Sequence, residues 1–118
     1  MAEDAKTVMS AYFAAWRARD AAAMRALLAD DVTFAGPLGR ANGADEYVEA
    51  FQRLFAITTD VVVELMVARE NDVLSWFELH TSVAPPTPVA NLARVDAGKV
   101  ERVRVTFDPR AIIAGRSG

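Results

Sequence analysis

A chain of 118 residues with 53% hydrophobic and 25% charged residues has enough apolar material to enclose one core without covalent staples. The absence of cysteine excludes disulfides, thiolate metal sites and a cysteine nucleophile, and a single histidine leaves no metal-ligand set at usable spacing. A net charge of −3 argues against a broad phosphate-binding surface, so no nucleic-acid partner is expected.

The start, MAEDAKTVMS, is acidic and lacks the basic-then-apolar build of a signal peptide. No apolar run approaches the length that spans a bilayer. A cytoplasmic protein without membrane contact is expected, with residues 1–118 forming one domain. Val8, Met9, Tyr12, Phe13 and Trp16 recur at three- and four-residue steps and predict an amphipathic helix, which Arg17 and Arg19 close favourably. Asp20 is placed to cap a second helix, AAAMRALLA, with Met24, Leu27 and Leu28 inward. Asp30 and Asp31 read as a turn before the short strand Val32-Thr33-Phe34, which stops at Gly36-Pro37.

A third helix is predicted from near Gly43, with Asp45 and Glu46 in its first turn. Its buried side is Tyr47, Val48, Phe51, Leu54 and Phe55, and Asp45, Glu46 and Glu49 form a solvated face. The second half is strand-like: DVVVELMVA, VLSWFELHTSV, VANLARV and VERVRVTF are rich in branched and aromatic residues. RENDV and DAGK are turns, and APPTP breaks the ladder because its prolines cannot serve a central strand. Residues after Phe107 read as a loose tail. Helices followed by an antiparallel meander predict an α+β domain in which a curved sheet wraps helices and leaves a cone.

This order, with LLADDVTF after the second helix, GADEYVEAF in the third and RVDAGKVERVRVTF at the end, resembles the nuclear transport factor 2-like superfamily. Within it the chain looks like the SnoaL-like and ketosteroid isomerase-like branch. The resemblance spans roughly residues 5 to 110 and implies a cystatin-like cone with three N-terminal helices on a mostly antiparallel sheet. It also implies a homodimer paired through the convex sheet face. It leaves the chemistry open, because this fold hosts isomerases, cyclases, dehydratases, epoxide hydrolases and binding proteins.

Laid on the steroid isomerase pattern, Tyr12 falls at the oxyanion-hole tyrosine and Asn91 at the second oxyanion donor. Gly36 falls at the general base. Glycine cannot carry a proton between carbons, so the resemblance implies a half-site, two donors without their carboxylate. The supporting tyrosine of the third helix falls at Phe51. Restoring the carboxylate with Gly36→Asp should create or raise isomerase activity on a dienone-forming substrate. Trp16, Leu28, Phe34, Gly36, Leu38, Phe51, Phe55, Phe77, Val103, Val105 and Phe107 are the expected walls of an apolar cone.

Each candidate has a plainer reading. Tyr12 is equally a core aromatic whose hydroxyl found a partner. Asn91 shares a strand face with Val89, Ala93 and Val95, where an unpaired amide is costly, so it needs a ligand, a water or a neighbouring side chain. His80 groups by alternation with Trp76 and Glu78, opposite Ser75, Phe77, Leu79 and Thr81. The resemblance to the isomerase pattern implies that the Phe77 face is the concave one, which puts His80 on the outer face. In the reversed register Glu78 and His80 would be the best acid–base pair in the chain. Glu64, within VVVELMV, is either an acid of raised pKa or part of a polar dimer interface, and Asp60 starts a strand.

The expected function is binding or converting a hydrophobic, oxygenated small molecule, polyketide- or steroid-like, without cofactor or metal. If the chain is an enzyme, it is an isomerase or cyclase type lacking the standard base. A non-catalytic ligand-binding or homodimeric assembly domain is the alternative.

Overall fold

The stripe of Met9, Tyr12, Phe13 and Trp16 is buried as its spacing requires, on a helix α1 that runs Ala2–Ala18. The computed structural model describes residues 2–117, with side chains from 4 to 116. α1 closes on Arg19 in the left-handed region (φ 56°), with Asp20 N–H donating to the Ala15 carbonyl and Arg19 N–H to Trp16. Asp20 then caps α2 (Ala21–Leu27), its carboxylate accepting from the Ala23 N–H at 3.0 Å. The two aspartates expected as a turn lie inside a longer strand, β1 (Leu28–Gly36), whose ladder is irregular between Leu28 and Thr33. A short β2 (Gly39–Asn42), invisible in the sequence pattern, pairs back on β1. Gly43, at φ 90°, then turns the chain into α3 (Ala44–Phe55).

Four long strands follow: β3 (Thr58–Arg69), β4 (Asp72–Thr81), β5 (Thr87–Asp96) and β6 (Lys99–Thr106). The sheet order is β2-β1-β6-β5-β4-β3, antiparallel throughout except for the parallel β1–β6 pair. The β5–β6 turn passes through Ala97 and Gly98, both at positive φ, as a tight hairpin with matched twist demands.

Bulges bend the sheet without closing it. In β3 the partners step from Val63–Phe77 to Leu65–Trp76, leaving Glu64 as the extra residue. That one residue moves Leu65 from the concave face, where strict alternation after Val61 and Val63 would put it, to the convex face. The open edge at β3 is covered from α1: Arg17 donates to the Val61 carbonyl at 3.1 Å and Arg19 to that of Thr58 at 2.6 Å.

The expected loose tail is instead a helix, α4 (Arg110–Ser117). Asp108 holds Arg110 through paired side-chain contacts, and its carboxyl is lowered to about 2 by that guanidinium. Ile112 is fully buried, and Gly115 lies so near the Val83 backbone that a β-carbon there would overlap the Val83 carbonyl oxygen. Composition alone hid this helix, because RAIIAGRSG has a glycine inside it and only one fully buried apolar residue. Among the described residues no helix is long and apolar enough to cross a membrane.

Candidate functional site

Helices α1 and α3 lie against the concave sheet face and meet through aromatic rings. Tyr47 and Phe51 stack at 5.0 Å, Trp16 meets Phe51 edge-on at 5.0 Å, and Phe77 of β4 sits 5.5 Å from Trp16. These contacts fill the deep part of the cone. Towards β1, β2, β6 and α4 they leave a hollow of about 210 Å³.

The expected wall divides. Trp16, Phe34, Gly36, Leu38, Phe51, Phe77, Val105 and Phe107 border the hollow, as does Asn91. Leu28, Phe55 and Val103 do not. They are buried at 2%, 5% and 0% exposure, packed into the core cluster instead.

Tyr12 also fails to border the hollow. Its hydroxyl lies 2.5 Å from that of Tyr47, and it is Tyr47 that reaches the wall. The helix-three partner of Tyr12 is thus Tyr47 and not Phe51, one helical turn earlier on the same face. Sequence reasoning placed Tyr47 only in the core; its four-residue spacing from Phe51 was the available signal. Burial raises both phenols above the ordinary 10.0, so each stays protonated far past neutrality.

Asn91 lies mid-sheet on β5, directly opposite Ser75 of β4 and Val105 of β6. It is 1% exposed, and its Oδ1 has no hydrogen-bond partner. The Ser75 hydroxyl beside it, which sequence reasoning did not single out, is buried and equally unpaired. A buried polar group left without a partner costs about 1–3 kcal/mol, and these two, a hydroxyl and an amide oxygen, stand opposite each other on one strand pair.

The remaining polar candidates lie elsewhere. His80 and Glu78 contact each other at 3.1 Å on the convex side, half-buried, in the register that the resemblance implies. Glu64 is exposed on the bulge, and Asp60 accepts from the Val61 N–H. Among the described residues that border the hollow the charged ones are Arg40, Arg53 and Arg116, with no carboxylate and no histidine.

The SnoaL-like domain model matches residues 9–110, nearly the whole of the architecture just described. The chain belongs to the SnoaL-like domain family. Solved structures of the same fold include a protein from Kribbella flavida DSM 17836 (23% identity, TM-score 0.87, covering 94% of this chain and 92% of that one). Another is a SnoaL-like polyketide cyclase candidate from Jannaschia sp. CCS1 (18%, 0.84, covering 99% and 94%). A third is an LEH-like epoxide hydrolase from M. tuberculosis (20%, 0.81, covering 97% and 90%). NTF2-like proteins are among the similar folds, which bears out the resemblance read from the sequence. No match to a curated protein sequence was found. At these identities the structural likeness establishes the cone, and the chemistry has to be argued from this SnoaL-like chain's own side chains.

Proposed function

We propose that this SnoaL-like protein binds a small, apolar, oxygen-bearing organic molecule in the hollow, with Asn91 as the buried polar anchor. The observation that carries the reading is that Asn91, whose buried Oδ1 has no partner, borders an apolar hollow. A fold keeps such a loss where a ligand recovers it. Tyr47 is the second polar group within the wall and takes the role first expected of Tyr12. No residue bordering the hollow accepts a proton near neutral pH: arginines stay charged, amides do not titrate, and the phenol is pushed up. Binding therefore fits the site better than proton transfer.

Asn91→Leu tests this. Removing the orphaned amide should raise the melting temperature of the free protein by ~4 °C, corresponding to about 1 kcal/mol. It should also abolish the thermal stabilisation that aromatic and alicyclic alcohols, ketones and acids give the native chain. A library in which nothing stabilises the native chain, or stabilises it and the variant alike, would refute the reading.

A second reading is conversion by positioning alone. Tyr47 and Asn91 would steady a developing negative charge on one ligand oxygen through their O–H and N–H donors. Turnover of a bound ketone by the native chain would favour it.

We also infer a homodimer through the convex sheet face. Val62, Leu65, Val67, Leu74, Trp76 and Leu92 stand 38–58% exposed there, with Leu65–Trp76, Val67–Leu74 and Leu74–Leu92 paired across neighbouring strands. A continuous apolar surface of this kind is what a second copy would cover.

A further inference from the structure

We propose that the ligand is an organic acid, its apolar body inside the cone and its carboxylate held among Arg40, Arg53 and Arg116 at the mouth. This deepens the binding reading and rests on it.

The rim is the first ground. The three arginines come from separate elements, β2, α3 and α4, yet among the described residues they are the only charged ones on the border of the hollow. The chain as a whole has 16 acidic against 13 basic residues, so an all-cationic mouth runs against its overall balance.

Their freedom is the second. Arg25, Arg94 and Arg110 are each held by a carboxylate oxygen at 2.9, 2.9 and 2.6 Å. Arg40 and Arg116 make no ion pair among the described residues. Arg53 has only a loose 3.9 Å approach to Glu49. Two unpaired guanidiniums and one loosely paired around one opening suit a carboxylate, which their planar forks meet with two hydrogen bonds at once.

The buried end completes the match. Asn91 carries an unpaired acceptor on the border of the hollow, so the fitting acid carries a hydroxyl at the end remote from its carboxylate. Size limits the body: cavities of ~150 Å³ hold benzene, so about 210 Å³ takes one or two rings, and anything longer emerges between the arginines.

The test is calorimetric titration of the native protein with 4-hydroxybenzoate, 6-hydroxy-2-naphthoate and 4-phenylbutyrate, each beside its methyl ester. At least one acid should bind at least ~10-fold more tightly than its ester, the ratio shrinking as salt approaches ~1 M. In folded Arg53→Gln/Arg116→Gln protein, verified by circular dichroism, that ratio should fall towards one. Esters binding as well as their acids, or a ratio unchanged in the double variant, would overturn the acid assignment and leave the binding reading standing. If no acid and no ester binds, both fall together.

Discussion

Gly36 shows what one residue position holds beyond its identity. The resemblance put a missing general base there, and the site around it explains why no side chain stands in its place. A β-carbon on Gly36 would lie 2.5 Å from Cγ2 of Val105 and 3.3 Å from the Phe34 ring. Valine is stiff about χ1, so it cannot swing away cheaply. Gly36→Ala should therefore destabilise the protein by about 1–3 kcal/mol, and Val105→Ala in the same chain should recover most of it. Urea unfolding of the two single variants and the double would show the coupling; additive effects would contradict it. The base-restoring variant is accordingly Gly36→Asp with Val105→Ala, since the aspartate alone must displace its neighbour before it can act. Asn91 makes the opposite point. Its place among Val89, Ala93 and Val95 was legible in the sequence, and its lack of a protein partner was not, because partners come from strands far along the chain.

At the scale of elements, two contacts decide how the helical layer sits. The Tyr12–Tyr47 hydrogen bond ties α1 to α3 inside the core. Both phenols are raised above 10.0 when folded, so on raising the pH the unfolded chain releases these protons first. Their contribution is thus fully present below pH 10 and is lost as the pH climbs beyond it, by about 1.4 kcal/mol per pH unit for each tyrosine. Tyrosinate absorbance should appear together with loss of helix signal, not before it. In Tyr12→Phe the alkaline slope should halve, while the neutral stability falls by about 1–3 kcal/mol because the buried Tyr47 hydroxyl loses its partner. The second contact is α4 on the β4–β5 connection. Gly115→Ala has no room against Val83, so it should release the helix and carry Arg116 away from the mouth. Faster amide exchange confined to residues 110–117 and the 81–86 loop would show it, and unchanged protection would count against the docking.

Across the whole molecule, one sheet carries two apolar faces: the concave one borders the hollow proposed to bind a ligand, and the convex one is the surface proposed for assembly. Replacing Leu65 and Trp76 by lysine should convert a sedimenting dimer to monomer with little loss of monomer stability, because both side chains are roughly half exposed already. Native protein that sediments as a monomer would remove the dimer inference.

The sequence by itself determined the elements with strong period: α1, α3 and the four long strands follow from apolar spacings of three to four and of two. By alternation it also grouped the residues of β4 and β5 into two faces, and the burial pattern of the folded chain shows which of them is inward. Weakly patterned pieces escaped it. β2 is four residues long and α4 holds one fully buried apolar side chain, too little periodicity for either to be read. Only the tertiary structure decided that Tyr47 and not Tyr12 reaches the hollow, that Val105 fills the space beside Gly36, and that three distant arginines share one mouth. Local pattern records whether a side chain is buried. Which partner it meets depends on bulges and helix packing, and these bring together residues that the chain keeps far apart.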